Sequence, residues 1–236
     1  KIVFINTSGG GLRSALWTFY VMQKMDTLLN GKLLQHTHLI TGSSGGMIGA
    51  AYLRELYLQN KINIYSDSLL TNISRDILNP VAFSLAVNDW FLPTQQVKFN
   101  GKKYQKDRGY AFEQKLLENT GGVLDKKLED YKNPEALSEI PMMIFAPVII
   151  NDGRKLFISA QPSSYLVKNV ETEKFSNLKL TDGIEFSTFF LKQGASNIPF
   201  TSVLRMNATF PYITPIAQLP SEPAIEVMDA GMRDNY

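Results

Sequence analysis

The sequence predicts an α/β fold in which a mostly parallel central sheet is flanked by helices. Short apolar strands alternate with helical patterns along the first sixty residues, and glycine-rich turns separate two of these strands from the helices that follow. Strands that alternate with helices are typical of βαβ units, whose strands run parallel. A further short apolar strand near the end of the sequence extends the same pattern.

The predicted elements are distinguished by the period of their apolar residues. Strands are short apolar runs between polar or glycine residues, and we predict them at residues 2–6, 37–41 and 225–228. Helices have apolar residues three and four positions apart, and we predict them at residues 12–29, 47–59 and 110–118. Asn30 and Gly31 predict the end of the first helix. A tight turn is predicted at residues 42–46.

Residues 142–159 are predicted to form a β-hairpin. Two apolar runs, at residues 142–150 and 155–159, flank a polar segment that contains Asp152 and Gly153. An Asp-Gly pair is suited to the positive φ angles of a type I′ turn, so we expect that turn here.

Composition excludes several classes of protein. The chain has 236 residues, of which 44% are hydrophobic and 19% charged, with no cysteine and a net charge of +2. The absence of cysteine excludes disulfides, thiolate metal sites and a cysteine nucleophile. The balanced charge argues against a nucleic-acid partner. No repeat, low-complexity tract or linker divides the sequence, so we expect a single domain over residues 1–236.

The two ends and the longest apolar run bear on where the protein acts. The sequence opens at Lys1 directly in a strand-like run and closes at Tyr236 just after an acidic motif, so we expect a fragment of a longer protein. The longest apolar run, at residues 142–150, is far short of the about 20 residues that span a bilayer. The sequence leaves the compartment open, and we expect a soluble domain that the full-length protein could bring to a membrane.

The first candidate site is a run of three glycines between a strand and a helix. Gly9, Gly10 and Gly11 allow the backbone to turn its N–H groups toward an anion, and the helix N-terminus adds a favourable dipole. Arg13 follows in the first helical turn. The glycine spacing of a dinucleotide fingerprint and the Gly-Lys-Ser/Thr of a P-loop are both missing. Taken alone, the run is also compatible with a flexible turn.

The second candidate site is a serine between glycines. Residues 42–46 match G-x-S-x-G in the strand–turn–helix context of a nucleophile elbow. Such an elbow holds the serine, here Ser44, on a sharp turn with its hydroxyl exposed. The N–H of the next residue, Gly45, can then join an oxyanion site. Because G-x-S-x-G also occurs by chance, the prediction of a nucleophile elbow depends on its position between a strand and a helix.

A serine nucleophile needs a base, and neither histidine fits that role. His36 and His38 lie at or before the start of the strand that leads to Ser44, about 20 Å or more from its hydroxyl at ~3.3 Å per residue. A general base must lie within hydrogen-bond reach. Unless a histidine lies beyond residue 236, the base must be a carboxylate. Asp229, in the sequence Asp229-Ala230-Gly231, follows the last predicted strand, although an acidic turn residue is the simpler interpretation of that motif alone.

Together the three motifs resemble those of the patatin-like phospholipases. That family, like the related cytosolic phospholipase A2 catalytic domain, has a glycine-rich loop ending in a basic residue, then G-x-S-x-G, then Asp-Gly-Gly or Asp-Gly-Ala. The resemblance covers nearly the whole chain. Ala230 departs from the pattern because it replaces the usual first glycine. Alanine is small, so the turn is expected to survive if φ is negative there.

The resemblance implies a three-layer patatin-like architecture and a Ser–Asp dyad. Ser44 would attack an ester carbonyl to form an acyl-enzyme, and Asp229 would take the hydroxyl proton and later activate water. An ordinary aspartate is a weak base, so a partly desolvated Asp229 is expected. No cofactor and no metal are implied. The implied partner is a lipid or acyl-ester substrate, which is compatible with peripheral membrane contact.

The resemblance also assigns the remaining site residues. The N–H groups of Gly9, Gly10 and Gly11, with that of Gly45, would bind the developing oxyanion. Arg13 matches the basic residue of the family pattern, and as a substrate-binding residue it would pair with a phosphate head group. A brace for the loop is the alternative role for Arg13.

Two interpretations from other classes stay open. A catalytically silent lipid- or acyl-binding module of the same fold would keep the pocket without turnover, and the departure at Ala230 supports it. An anion- or nucleotide-binding domain would use only the glycine run and leaves Asp229 unexplained. The sequence Trp90-Phe91-Leu92 predicts a buried cluster, since aromatic residues are normally inside, and a lid or an interfacial contact is the alternative.

Overall fold

Helices and short strands alternate along the chain, in agreement with the predicted α/β class. The computed structural model describes residues 1–60, 63–89, 91, 96–99, 102–167, 169–170, 180–210 and 212–235. The α-helices in these residues are α1 (Gly11–Leu28), α2 (Leu33–His36), α3 (Ser44–Gln59), α4 (Asp67–Ser74), α5 (Leu78–Ser84), α6 (Arg108–Asn119), α7 (Lys132–Ala136), α8 (Phe186–Phe189) and α9 (Phe200–Asn207). The strands are β1 (Val3–Thr7), β2 (Thr37–Gly42), β3 (Gln96–Phe99), β4 (Lys102–Gln105), β5 (Met142–Phe145), β6 (Val148–Ile149), β7 (Lys155–Phe157), β8 (Asn169–Val170), β9 (Leu180–Thr181), β10 (Gly183–Glu185), β11 (Ala217–Leu219) and β12 (Ile225–Met228).

A parallel three-stranded sheet carries both glycine-rich junctions. Its strand order is β1–β2–β5, and both neighbouring pairs are parallel. Thr7 at the end of β1 is paired with Gly42 at the end of β2, which is paired with Phe145 at the end of β5. Because the carboxyl ends of parallel strands meet at one edge of a sheet, the loops after β1 and β2 are neighbours. The predicted parallel sheet with flanking helices is confirmed.

A second, five-stranded sheet extends the structure beyond the sequence prediction. Its order is β10–β7–β6–β12–β11, in which β10 and β7 are parallel and the other neighbours antiparallel. Phe145 and Ile158 exchange two backbone hydrogen bonds of 2.9 Å, which join the two sheets. The strand that leads to Asp229, β12, therefore belongs to a different sheet from the strand that leads to Ser44.

The predicted hairpin at residues 142–159 forms only in part, and its turn is of another type. The apolar run divides, so that β5 joins the parallel sheet while β6 pairs with β7. A type I′ turn needs positive φ at both central residues, but only Gly153 of the Asp-Gly pair has it, at 77°. Asp152 stays out of that region and its carboxylate accepts the Arg154 N–H at 3.0 Å. The prediction of a type I′ turn is wrong.

The other predicted elements differ from the structure mainly at their ends. α1 ends at Leu28, and the positive φ angles of Asn30 and Gly31 follow, as the sequence predicts. α3 begins at Ser44, so the predicted tight turn at residues 42–46 is shorter than expected. Phe91 is 76% exposed and is not part of a buried cluster. Trp90 and Leu92 lie outside the described residues.

Helix α3, which begins with Ser44, packs closely against α1. A Cβ added to Gly49 would lie 2.9 Å from the carbonyl carbon of Ala15, so the two backbones approach with no side chain between them. Further along the same contact the rings of Phe19 and Tyr52 stack with their centroids 5.2 Å apart. All four residues are buried or nearly so, and this contact fixes the axis of the helix that carries Ser44.

A buried ion pair fixes α3 to the parallel sheet. The Arg54 guanidinium lies 2.6 Å from the Glu135 carboxylate, and both side chains are 1% exposed. Arg54 also donates to the carbonyl of Pro141 at 3.0 Å. The same Glu135 oxygen accepts the backbone N–H of Met143 at 3.3 Å. Because Met143 belongs to β5, the pair ties the helix to a strand beside β2.

Glu135→Ala is expected to lower the free energy of unfolding by about 3–5 kcal/mol, because the Arg54 guanidinium would stay buried without its counter-ion. Urea unfolding followed by circular dichroism measures this change. Glu129→Ala is the control, since the Glu129–Lys127 pair at 3.4 Å is 39% and 44% exposed and its loss should cost less than about 1 kcal/mol. Equal losses in the two variants would contradict the role given to the buried pair.

Candidate active site

The structure places Ser44 on a sharp turn between a strand and a helix. β2 ends at Gly42, Ser43 is extended with φ of −125°, and Ser44 opens α3 with φ of 51°. Positive φ is uncommon for serine, and strained residues of this kind cluster at functional sites. The N–H of Ser43 donates to the carbonyl of Thr7 at 3.0 Å, which binds the turn to the end of β1. Ser44 itself is half-buried.

Glycine allows the loop after β1 to lie directly against this turn. A Cβ added to Gly9 would lie 3.0 Å from the Cβ of Ser44, and a Cβ added to Gly45 would overlap the backbone of Gly11. Gly10 and Gly11 have φ angles of 148° and 61°, which side-chain-bearing residues rarely adopt. The glycine run and the serine turn therefore form one continuous surface that larger residues would separate.

The N–H groups of the glycines are not equivalent. Gly9 donates to the side-chain oxygen of Asn235 at 2.9 Å. Within the described part of the chain, the N–H groups of Gly10, Gly11 and Gly45 have no acceptor. Gly11 and Gly45 each lie in the first turn of a helix, whose N–H groups have no intrahelical partner. These three N–H groups are therefore free of a protein partner in the described residues.

Asp229 is buried at the end of β12, and the structure brings it to Ser44. Its side chain accepts the N–H of Gly231 at 2.7 Å, and its own N–H donates to the carbonyl of Thr209 at 3.2 Å. Burial raises the pKa of Asp229 above its usual range, while hydrogen bonds from the Ser44 hydroxyl and the Gly231 N–H partly oppose that rise. A buried carboxylate beside a serine hydroxyl has the chemistry of a general base.

The alanine that departs from the family pattern is accommodated. Ala230 is 3% exposed and opens a short 3₁₀ turn that ends at Met232. It is not among the residues with positive φ, so its Cβ causes no backbone strain. The turn keeps Asp229 as its N-terminal cap through the hydrogen bond from Gly231. Alanine at this position is thus compatible with the turn that Asp229 caps.

Arg13 lies on the exposed side of the first turn of α1. It lines a groove of about 490 Å³ between α1 and α4, together with Leu16, Trp17 and Leu70. Trp17 is 67% exposed along the same groove. The groove therefore begins at Arg13, two residues after Gly11, and combines a cation with apolar walls.

The histidines lie at the other end of β2 from Ser44. His36 ends the short helix α2, and His38 is exposed on the first half of β2. Ser44 follows the carboxyl end of that strand. Neither ring is positioned to reach the Ser44 hydroxyl.

Two asparagines that sequence reasoning did not identify hold the site together. The side chain of Asn207 donates to the carbonyl of Gly42 and accepts the N–H of Ala146, both at 3.3 Å. Asn235 accepts a second hydrogen bond, from the hydroxyl of Ser43, at 2.7 Å. No periodic or spacing signal marks Asn207. Asn235 could have been noticed only through its position shortly after Asp229.

Two further properties concern the described residues as a whole. None of their helices combines the length and apolar character that crossing a membrane requires. In the same ranges, no three histidine or acidic side chains gather in a way that could hold a metal ion.

Two solved structures are similar to part or all of this chain. Human GIVD cytosolic phospholipase A2, solved in complex with methyl gamma-linolenyl fluorophosphonate, is 15% identical and has a TM-score of 0.41; the match covers 67% of this chain and 23% of that protein. VipD from Legionella pneumophila is 11% identical with a TM-score of 0.45, and the match covers 99% of this chain and 46% of VipD. The chain thus spans less than half the length of either protein. No curated protein sequence matches it.

A match to a family model assigns the chain to a protein family. The model described as patatin-like phospholipase matches residues 7–236. That span includes the glycine run, the turn at Ser44 and the buried Asp229. The chain belongs to the patatin-like phospholipase family.

Proposed function

We propose that this protein is a serine lipid acyl-hydrolase in which Ser44 is the nucleophile and Asp229 the base. Family membership supports hydrolysis of lipid esters in general. The finer assignment is supported by the burial of Asp229, whose pKa the nearby Ser44 hydroxyl lowers in opposition to that burial, at a turn lined by glycine N–H groups. Phospholipids and lysophospholipids are the substrate class that the family supports.

The proposed reaction divides into two transfers. In the first, the Ser44 oxygen attacks the ester carbonyl carbon while its proton passes to Asp229, and the tetrahedral oxyanion collapses as Asp229 protonates the departing alcohol oxygen. In the second, Asp229 takes a proton from water, and the resulting hydroxide equivalent attacks the acyl-serine. The carboxylic acid leaves and the proton returns to the Ser44 oxygen. All protons are carried by Ser44, Asp229 or water, so no cofactor enters these steps.

Backbone N–H groups would stabilise the negative charge that develops on the carbonyl oxygen. Gly10, Gly11 and Gly45 are the candidate donors, because their N–H groups have no other acceptor in the described structure. Gly9, also assigned to this role by the sequence resemblance, is less suited to it because its N–H already donates to Asn235. Each such donor is typically worth ~10²–10³ in rate.

Arg13 is proposed to bind substrate through the groove that it shares with Trp17. A guanidinium matches the geometry of a phosphate oxygen pair, and the apolar wall of the groove suits a hydrocarbon chain. The competing role, bracing the glycine run, would make Arg13 variants lose turnover on every ester alike. Selective loss on phosphate-bearing esters distinguishes substrate binding from bracing.

Asp229→Asn and Ser44→Ala are each expected to lower turnover of an activated ester by at least about a thousandfold, because one removes the base and the other the nucleophile. Release of p-nitrophenol from a short-chain ester measures this. His36→Ala and His38→Ala are the controls and should keep near wild-type turnover. An active Asp229→Asn protein would contradict the dyad.

The raised pKa of Asp229 predicts the pH dependence. The base works only when ionised, so kcat/KM should fall on the acid side with an apparent pKa above the ~3.9 of ordinary aspartate. Since the folded state binds this proton more tightly than the unfolded chain, stability is lost as pH rises through the folded-state pKa. Asp229→Asn should therefore be at least as stable as the wild type at pH 7. A variant clearly less stable at pH 7 would contradict the raised pKa.

We further propose that the loop between α9 and β11 contacts the phospholipid surface on which the substrate lies. Phe210 is 58% and Tyr212 95% exposed in this loop. The loop begins next to Thr209, whose carbonyl accepts the Asp229 N–H. Arg108 donates to the carbonyl of Tyr212 at 2.7 Å and so holds the loop from α6. Exposed aromatic rings beside a lipid-hydrolysing site suit the membrane interface.

The double variant Phe210→Ser, Tyr212→Asn should bind phospholipid vesicles at least about tenfold more weakly, because each buried ring contributes roughly 1.5–3 kcal/mol. Asparagine is chosen because Tyr212 has φ of 67°. Vesicle sedimentation gives the affinity, and turnover of a monomeric ester should be unchanged.

Leu137→Ser is the matched control for this surface. Leu137 is 70% exposed but precedes β5, toward the edge of the parallel sheet opposite Ser44. Leu137→Ser should bind phospholipid vesicles as tightly as the wild type does. Equal vesicle binding by the wild type and the double variant would show that the loop does not contact the phospholipid surface.

A further inference from the structure

One side-chain oxygen connects all three motifs of the candidate site. Oδ1 of Asn235 accepts the N–H of Gly9 at 2.9 Å and the hydroxyl of Ser43 at 2.7 Å. Gly9 belongs to the glycine run, and Ser43 directly precedes the nucleophile. Asn235 itself lies on the segment that follows Asp229, and its oxygen is 3.0 Å from the point where a Cβ on Gly231 would be.

The position of this oxygen depends on glycine in two places. A Cβ added to Gly9 would come within 2.5 Å of Oδ1 of Asn235, and one added to Gly231 would come within 3.0 Å. Glycine at both positions therefore makes room for the amide. Gly9 in turn lies against Ser44, since its added Cβ would be 3.0 Å from the Cβ of Ser44.

We infer that Asn235 is a positioning residue for catalysis, which sets the glycine run against the serine turn and directs the Gly9 N–H away from the substrate. This inference rests on the proposed function for its effect on rate. Its physical basis is that an amide oxygen has two lone pairs and can accept from both loops at once. Without this oxygen, the loops that contain Gly9 and Ser43 lose a shared hydrogen-bond acceptor close to the reacting atoms.

The consequence for the reaction is geometric. The oxyanion donors Gly10 and Gly11 follow directly after Gly9, so a shift of Gly9 moves them relative to the Ser44 oxygen. Misplacement of about 1 Å at a reacting centre can cost ~10²-fold in rate. The effect should appear in kcat, because the donors interact more strongly with the transition state than with the bound ester.

The test compares Asn235→Leu, Asn235→Asp and a remote control. Leucine has nearly the same volume and accepts no hydrogen bond, whereas aspartate keeps the accepting oxygens. Asn151→Leu is the matched control, because Asn151 also joins two segments, accepting the Glu226 N–H at 2.8 Å and donating to the Ala224 carbonyl at 3.1 Å. Kinetics on a monomeric ester and amide hydrogen exchange of Gly9 by NMR are measured for each protein.

Asn235→Leu should lower kcat by roughly 10–100-fold with little change in KM, and the Gly9 amide should exchange at least several-fold faster. Asn235→Asp should keep kcat and the exchange rate of the Gly9 amide near their wild-type values at high pH. Its added carboxylate is close to Asp229, whose Oδ1 is 3.1 Å from the same point beside Gly231. The acid limb of its rate profile should therefore move to higher pH. Asn151→Leu should leave kcat and the Gly9 amide unchanged and accelerate exchange at Glu226 only.

Two results would overturn the inference. One is an unchanged Gly9 exchange rate in Asn235→Leu, and the other is faster exchange with unchanged kcat. If Asn235→Leu does not fold, the pH profile of the Asn235→Asp rate is the deciding measurement. An acid limb at the same pH as in the wild type would count against the inference. A wild-type protein without esterase turnover would instead refute the proposed function, while the exchange rates would still show whether Asn235 holds Gly9.

Discussion

The close approach of two strand–helix junctions is the constraint on which the site depends. Parallel pairing of β1 and β2 brings the glycine run and the serine turn to the same edge of the sheet. The absence of a side chain at Gly45 then allows the start of α3 to rest on the backbone of Gly11. Any larger residue there would part the junctions. The N–H groups of one loop would then move away from the serine of the other.

The second requirement is a buried carboxylate that reaches this edge from another sheet. Asp229 lies at the end of β12, and Phe145 and Ile158 are the residues through which the two sheets join. Burial makes Asp229 a stronger base than aspartate in water, and the same burial makes its ionised form unfavourable for folding. The buried pair of Arg54 and Glu135 ties α3 to β5 on the Ser44 side, and Asn235 ties the segment after Asp229 to Ser43.

The sequence predicted the local parts of the structure better than their assembly. Strand and helix periods, the stop at Asn30 and the order of the motifs follow from neighbouring residues, and they agree with the structure. The five-stranded mixed sheet depends on long-range pairing, which no local period reveals. The turn at Asp152 was wrongly predicted because its own side chain binds Arg154 N–H. Asn207 and Asn235 escaped notice since their partners lie far away in sequence.

Reaction with a fluorophosphonate probe, followed by peptide mapping of the adduct, tests the central claim most directly. The phosphorus of the probe reacts with an activated serine oxygen and expels fluoride, so a single adduct on Ser44 is predicted for the wild-type protein. Asp229→Asn should react at least about a hundredfold more slowly, because the serine has lost its base. A silent lipid-binding module of the same fold would form no adduct. An unlabelled Ser44, or an adduct on Ser44 that forms equally fast in Asp229→Asn, would contradict the account.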